Sequence, residues 1–308
     1  MVPLEPRGAR EPLFCICGIN LYQHLARNLD ADRPVFGVFL PVEGALLSGD
    51  GGEIGVRDMA AEYVKAIRAQ QPQGPYHLVG VSFGGVLAYE AAQQLRAAGE
   101  EVGILAILDV VLPGGLDFSW TLWAREHLGR VRQEGAPYAL AQLGEWREKA
   151  ATWLDHQAPR LPAVAAGLSA RLRSALRPGP PRRPDRGPST RSEPGDHGKI
   201  QQDIESLHRV RLDQYRAAWE RYERTLRPYP GTALIFRARD EKRPPGTAVR
   251  ADCGWSRYIA SDRMTLHEVR GDHLGILTEP SVRELAQAIR SQFDASSIEH
   301  EHPASTAG

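Results

Sequence analysis

Short apolar runs alternate with amphipathic segments over residues 12–110 of the chain. Runs rich in aliphatic and aromatic side chains predict buried strands at residues 13–17, 35–40, 76–81 and 102–108. Between them, apolar residues recur every three or four positions, which predicts helices at residues 21–29, 58–70 and 86–95, with Asp58 as the cap of the second. The run at 102–108 is apolar on both faces, as is typical of a parallel strand covered on both sides. The alternation predicts an open, mostly parallel α/β sheet with helices on both faces.

The alternation stops near Leu112, and residues 113–227 show only helical patterns. Two amphipathic stripes stand out, Leu140, Leu143, Trp146, Ala150 and Trp153 in the first and Leu212, Tyr215, Trp219, Tyr222 and Leu226 in the second. Residues 177–198 are rich in Pro, Arg and Gly and lack apolar side chains, which predicts disorder. Strand patterns return at 232–237 and 266–269 and precede a closing helix at about 281–293. We therefore expect a core at 12–112 and 228–294, a helical insertion at 113–227, a linker at 1–11 and a disordered tail at 295–308.

Composition excludes several classes of function. The 308 residues have zero formal net charge, so nothing global indicates binding to nucleic acid or to an anionic membrane. Three cysteines are too few for a disulfide framework, and no apolar run is long enough for a signal peptide or a membrane span. We expect a cytoplasmic protein. No metal motif of the H-E-x-x-H type and no phosphate-binding glycine loop occurs, so we expect neither a metal nor a nucleotide cofactor.

The strongest chemical motif is Gly80-Val81-Ser82-Phe83-Gly84, which lies between a predicted strand and a predicted helix. The pattern G-x-S-x-G in this context is a nucleophile elbow, in which a strained turn exposes a serine hydroxyl at the end of a sheet. Small residues flank the serine because a Cβ would clash in the turn. Ser82 is therefore the candidate nucleophile. In such a hydrolase core, a helical insertion between two strands acts as a lid, which is the role we expect for residues 113–227.

A serine nucleophile needs a histidine base, and in the α/β-hydrolase fold the chain order is Ser, acid, His. Ten histidines are present, but most lie in predicted helices or strands, in the Pro/Arg-rich segment or in the tail. His273, in Gly271-Asp272-His273-Leu274-Gly275, follows the last predicted strand on a glycine-flanked loop. That loop is where this fold brings its histidine to the nucleophile, so His273 is the candidate base.

Two aspartates compete for the role of the triad acid. Asp109 ends the strand that follows the elbow helix, and Asp240 ends the next strand. Asp240 belongs to a polar run, residues 239–243, that is typical of a solvated surface. Asp109 leaves a wholly apolar strand, where a carboxylate without a role is costly to desolvate. The sequence favours Asp109 and keeps Asp240 as the alternative.

Together these residues resemble the thioesterase domains of non-ribosomal peptide and polyketide synthases. The resemblance runs from about Pro12 to about Phe293, weakest in the lid, and rests on these segments: Leu13-Phe14-Cys15, Tyr22-x-x-Leu25-Ala26, Gln71-Pro72-Gln73-Gly74-Pro75-Tyr76, Gly80 to Gly85, Leu108-Asp109 and Gly271-Asp272-His273. In that family the acid follows the strand after the elbow helix, which matches Asp109. The resemblance implies release of an acyl or peptidyl chain from the phosphopantetheine arm of a carrier protein, through an ester on Ser82. Water or an internal nucleophile then releases the chain.

The family also stabilises the oxyanion with two backbone N–H groups. The resemblance assigns one to Phe83, directly after the nucleophile. The second comes from the loop after the first core strand, which in this chain is shortened to Gly18-Ile19-Asn20. Ile19 is the expected donor on that loop.

Two other functional classes remain open at this stage. The same chemistry serves a free-standing editing thioesterase or a general esterase. A hydrolase fold without activity, kept for binding, is a further alternative. Intact candidates at Ser82, Asp109 and His273 favour an enzyme.

Overall fold

The computed structural model describes residues 1–29, 32–41, 54–112, 114–135, 214–241, 243 and 245–301. The chain divides into two compact units. The larger unit comprises Met1–Asp117, Asp196–Arg243 and Ala248–Gly308, and the smaller comprises Phe118–Gly195 and Pro244–Thr247. The predicted disorder at 177–198 and the first aromatic stripe lie outside the described residues, so they stay predictions.

A seven-stranded sheet forms the centre of the larger unit. Its strands are β1 (Val2–Glu5), β2 (Leu13–Ile16), β3 (Val35–Val38), β4 (Tyr76–Val81), β5 (Val102–Leu108), β7 (Ala233–Ala238) and β9 (Met264–Val269). They are ordered β1-β3-β2-β4-β5-β7-β9, and every neighbouring pair is parallel except the edge pair β1 and β3. The predicted mostly parallel α/β fold is confirmed.

Helices cover both faces of this sheet, which accounts for its doubly apolar strands. Residues of β2 alternate between two separate apolar clusters, Phe14 and Ile16 in one, Leu13 and Cys15 in the other. The first cluster contains the buried faces of α2 (Val56–Gln70) and α3 (Phe83–Ala97). The second contains those of α1 (Gln23–Asn28) and α6 (Ser281–Glu301). Each residue of β2 is therefore buried whichever face its side chain occupies.

The smaller unit contains the helix α4 (Trp120–Glu134). Ser119 caps it by accepting a hydrogen bond from the Leu122 N–H at 3.3 Å. The Gly246 N–H donates to the Glu126 carboxylate at 2.8 Å, which ties residue 246 to this helix.

The structure corrects several predicted boundaries. Residues 1–11, expected to be a linker, contain β1, which a four-residue segment with a central proline did not suggest. A separate two-stranded sheet of β6 (Leu116–Phe118) and β8 (Thr247–Val249) begins inside the insertion expected to be all-helical. Both strands are three residues long, too short to show alternation.

Two helix ends also differ from the prediction. The helix α2 begins at Val56, with Gly55 as its N-cap. Asp58 is its third residue and accepts a hydrogen bond from the Gly55 N–H at 3.1 Å. It therefore contributes to capping from the first turn of the helix and is not the N-cap residue itself. The helix α6 continues to Glu301, past the expected end at Phe293, because no glycine or proline interrupts the chain before Pro303.

A fifth helix, α5 (residues 214–223), packs on α3 within the larger unit. The Tyr222 hydroxyl donates to the buried Glu90 carboxylate at 2.6 Å, and the Arg227 guanidinium lies 3.5 Å from the same carboxylate. The Tyr89 hydroxyl donates to the Arg227 carbonyl at 2.7 Å. These contacts hold α5 beside the helix that begins at Ser82.

A buried tyrosine joins the two strands that lead to the elbow. The Tyr22 hydroxyl donates to the Ile16 carbonyl at 2.8 Å and accepts from the Val81 N–H at 3.0 Å. Ile16 is the last residue of β2, and Val81 directly precedes Ser82. The hydroxyl thus completes the β2–β4 pairing at the point where β4 turns.

We expect Tyr22→Phe to lower the free energy of unfolding by about 1–3 kcal/mol, because it leaves a buried N–H and a buried C=O without a partner. Urea denaturation measures the change. Tyr229→Phe is the matched control, since the Tyr229 hydroxyl is buried and has no hydrogen-bond partner among the described residues. Equal stability of the two variants would show that the Tyr22 bridge contributes nothing.

Candidate active site

Ser82 lies in a strained turn between β4 and α3. Its backbone has φ 55° and ψ −127°, a region that non-glycine residues rarely occupy. The Ser82 N–H donates to the Leu108 carbonyl at 3.0 Å, and the Ser82 carbonyl accepts from the Gly85 N–H at 2.9 Å. Hydrogen bonds on both sides of the turn therefore hold the strained conformation in place.

Close backbone contacts explain the glycines around Ser82. A Cβ on Gly80 would lie 2.1 Å from the Gly84 carbonyl oxygen, and a Cβ on Gly84 would lie 2.6 Å from the Ile16 carbonyl oxygen. A Cβ on Gly85 would lie 2.8 Å from a Val110 methyl group. No side chain fits at these positions without displacing backbone or a packed side chain, so the motif is a geometric requirement of the turn.

Asp109 and His273 meet at the carboxyl ends of their strands. His273 Nδ1 lies 2.6 Å from Asp109 Oδ2. Asp109 directly follows β5, is 7% exposed, and accepts the Ala238 N–H on its other oxygen at 2.9 Å. The Arg243 guanidinium lies 3.8 Å from that second oxygen. Since the carboxylate is an acceptor, the geometry assigns the ring proton to Nδ1 and leaves Nε2 free to accept a proton.

The surroundings of His273 favour its protonated form. The hydrogen bond with Asp109 raises the pKa of His273 above its usual value, and burial opposes this increase. By contrast, burial lowers the pKa of His77 to about 3 and also lowers the pKa of His267. Of these three histidines, only His273 becomes a stronger base through a carboxylate partner.

Asp240, the alternative acid, binds the histidine loop and makes no hydrogen bond with the His273 ring among the described residues. Its carboxylate accepts the Gly271 N–H at 2.8 Å, and its own N–H donates to the Gly271 carbonyl at 2.9 Å. The hydrogen bond from Gly271 lowers the pKa of Asp240.

A pocket of about 290 Å³ opens beside the nucleophile, and all the residues that line it belong to the larger unit. They are Ser82, Phe83, Val86, Asp109, Val110, Val111, Tyr215, Arg216 and Trp219. The rings of Phe83 and Tyr215 stack with centroids 4.4 Å apart. An apolar chain bound here would contact aliphatic and aromatic walls next to the serine.

The two expected oxyanion donors have different surroundings. Phe83 is the first residue of α3 and lines the pocket. Ile19 precedes a short 3-10 helix and accepts the Tyr22 N–H at 3.3 Å, but it is not among the described residues that line the pocket. Both assignments stay predictions.

Sequence reasoning missed part of this neighbourhood. Arg216 lies on α5 between Tyr215 and Trp219, so the aromatic stripe was the available signal for its position. Glu241 and Arg243 belong to the polar run that was interpreted as solvated. Trp146 and Trp153, the other candidate lid rings, lie outside the described residues.

Neither a metal centre nor a membrane span is found in the part of the chain that the structure describes. The described residues contain no group of three or more His, Cys, Asp or Glu side chains placed to bind a metal ion. None of the described helices has the length and apolarity needed to cross a bilayer.

Comparisons with known proteins give both a family model and individual relatives. Residues 13–141 match the family model named Thioesterase domain. Chondramide synthase of Chondromyces crocatus is 29% identical over 97% of this chain and 7% of its own length. A dimodular non-ribosomal peptide synthase of Bacillus subtilis is 41% identical over 35% of this chain and 5% of its own length.

A non-reducing polyketide synthase of Cercospora nicotianae is 57% identical over 20% of this chain and 3% of its own length. The chain thus spans less than a tenth of each of these curated relatives. Among solved structures, the chain resembles the NocB thioesterase domain in covalent complex with a fluorophosphonate nocardicin G analog. The two are 19% identical in sequence, and the match covers 93% of this chain and 95% of that chain. They superimpose with a TM-score of 0.51, which shows the shared fold. The resemblance drawn from the motifs is confirmed: residues 13–141 match the thioesterase family model, and the relatives are non-ribosomal peptide and polyketide synthases.

Proposed function

We propose that the protein is a serine thioesterase that releases an acyl or peptidyl chain from a carrier protein. The observation that carries the proposal is the 2.6 Å contact between His273 and Asp109, because Asp109 and the strained Ser82 line the same pocket. A buried acid, an imidazole oriented by it and a serine that lines a pocket are the three parts that acyl transfer requires.

In the first step the Ser82 oxygen attacks the carbonyl carbon of the thioester. The serine proton passes to Nε2 of His273, while Asp109 holds the Nδ1 proton and stabilises the imidazolium that forms. The negative charge on the carbonyl oxygen is stabilised by the Phe83 N–H and by the Ile19 N–H. The C–S bond then breaks, the thiol leaves with the proton from His273, and the chain remains as an ester on Ser82.

In the second step a hydroxyl or amine attacks that ester, with His273 again taking the proton. Water gives the free acid, and a nucleophile within the chain itself gives a ring. His273 returns the proton to the Ser82 oxygen as the ester breaks, which regenerates the enzyme.

The pocket and the relatives support the substrate class that we propose. Val86, Val110, Tyr215 and Trp219 offer apolar surface to a chain esterified to Ser82. The relatives are multidomain synthases, so the partner we propose is a carrier protein that delivers the chain on its phosphopantetheine arm. No resident cofactor takes part in either step.

Asp109→Asn should lower kcat by about ten-thousandfold, because the amide no longer holds His273 in the tautomer that accepts the serine proton. Asp240→Asn should be mild, since its amide oxygen still accepts the Gly271 N–H. Steady-state turnover of an acyl thioester measures both. The opposite ranking would move the triad acid to Asp240.

Long acyl thioesters of N-acetylcysteamine should have a higher kcat/KM than acetyl ones, because each methylene buried in the pocket contributes up to about 0.8 kcal/mol. Trp219→Ala should reduce this preference in a variant that still unfolds cooperatively. The matched control is Trp123→Ala, in the smaller unit. Equal rates for acetyl and decanoyl substrates would contradict an acyl pocket, and faster turnover of simple oxygen esters than of carrier-bound thioesters would indicate a general esterase.

A further inference from the structure

The loop that carries His273 is attached to the end of β7 by the polar run at residues 239–243. The Glu241 carboxylate accepts the backbone N–H of His273 at 2.7 Å. Asp240 exchanges two hydrogen bonds with Gly271, at 2.8 and 2.9 Å. Gly271 has φ 108°, and a Cβ there would lie 2.9 Å from the Gly275 carbonyl carbon, so the loop turns sharply at the point that Asp240 binds.

We propose that Glu241 is a positioning residue for His273, with Asp240 holding the start of the same loop. The proposal rests on the function proposed above. Asp109 fixes the imidazole through its ring nitrogen, and Glu241 fixes the backbone of the same residue from the other side of the loop. Two anchors on one histidine leave the ring little freedom to move away from Asp109, which favours the reactive geometry.

Glu241 also contributes charge at the site. The charged groups that face His273 are Asp109, Glu241 and Arg243. The negative charge of Glu241 raises the pKa of His273, and the positive charge of Arg243 lowers it. The two residues therefore act in opposite directions on the pH at which His273 becomes a base.

A series of variants separates the hydrogen bond of Glu241 from its charge. Glu241→Gln keeps an oxygen that accepts the His273 N–H but removes the charge. It should retain most of kcat. The acid limb, the pH range over which kcat/KM rises as His273 loses its proton, should move to lower pH because a less basic His273 is deprotonated at lower pH. Arg243→Gln should move the acid limb to higher pH. Glu241→Ala loses the anchor and should lower kcat by about tenfold or more with little change in KM.

Glu62→Gln, on the exposed face of α2, is the matched control and should change neither quantity. A Glu241→Ala enzyme with wild-type kcat, or acid limbs that do not move in opposite directions for Glu241→Gln and Arg243→Gln, would overturn the positioning role. Full activity of Ser82→Ala would instead overturn the proposed function itself. The two failures are therefore distinguishable.

A second inference rests on a different observation, the one cationic side chain among the described residues that line the pocket. Arg216 lines the pocket together with apolar and aromatic residues, and the described residues contain no ion-pair partner for it. The one carboxylate in the pocket wall, Asp109, is already bound to His273. Arg216 is exposed to solvent, so its guanidinium is accessible beside apolar walls to a ligand that has both an apolar body and an anionic group.

We infer that Arg216 binds a carboxylate of the substrate, so that the preferred chain carries a free acid in addition to its thioester. This inference also depends on the proposed function. The phosphate of the phosphopantetheine arm has related anionic chemistry, and the test must distinguish the two.

Thioesters of N-acetylcysteamine lack the phosphate, so they isolate the chain. A chain ending in a carboxylate should have a kcat/KM about tenfold or more above that of its methyl ester of equal length. Arg216→Gln should abolish this ratio, while Arg221→Gln, an exposed arginine of the same helix outside the pocket wall, should preserve it.

A ratio near one in the wild-type enzyme, or an unchanged ratio in Arg216→Gln, would overturn the inference. A third outcome would also overturn it. If Arg216→Gln lowered kcat/KM only for phosphopantetheine thioesters, and not for pantetheine thioesters of the same acyl chain, Arg216 would bind the phosphate of the arm. Complete inactivity of the wild-type enzyme on every thioester would overturn the proposed function instead.

Discussion

The contact between two glycines in one turn controls the geometry of the site. Gly80 and Gly84 approach so closely that a Cβ on Gly80 would lie 2.1 Å from the Gly84 carbonyl oxygen. Because the chain closes this tightly, Ser82 takes a positive φ and its side chain lines the pocket at the end of the sheet. The Tyr22 bridge fixes the strand before the turn, and the Glu90 contacts fix α5 beside the helix after it. The strand β4 and the helix α5 are thus both held next to the turn at residues 80–84.

The topology of the sheet explains how distant residues meet. The strands β4, β5, β7 and β9 are adjacent and parallel, so the loops that follow them lie along one edge. Ser82 follows β4, Asp109 follows β5, and His273 follows β9. The segment after β7 lies between the last two, which is why its carboxylates reach the histidine loop. A polar run between Asp109 and His273 is therefore suited to hold the histidine loop in position.

The sequence predicts the sheet and the elbow because their constraints are local. Strand runs buried on both faces, and glycines required by one turn, leave direct patterns in the chain. The edge strand β1 and the pair β6 and β8 were missed, since three or four residues carry no readable alternation. Glu241 and Arg216 were missed for another reason. Their positions depend on tertiary contacts, and in the sequence both resemble ordinary surface charges.

The identity of the nucleophile is the central claim, and a covalent label tests it most directly. The protein is treated with a fluorophosphonate, and the modified peptide is mapped by mass spectrometry. One adduct per chain is expected, on Ser82, with much slower labelling after His273→Ala because the serine loses its base. An adduct on another serine, or labelling of Ser82→Ala at the wild-type rate, would contradict the account.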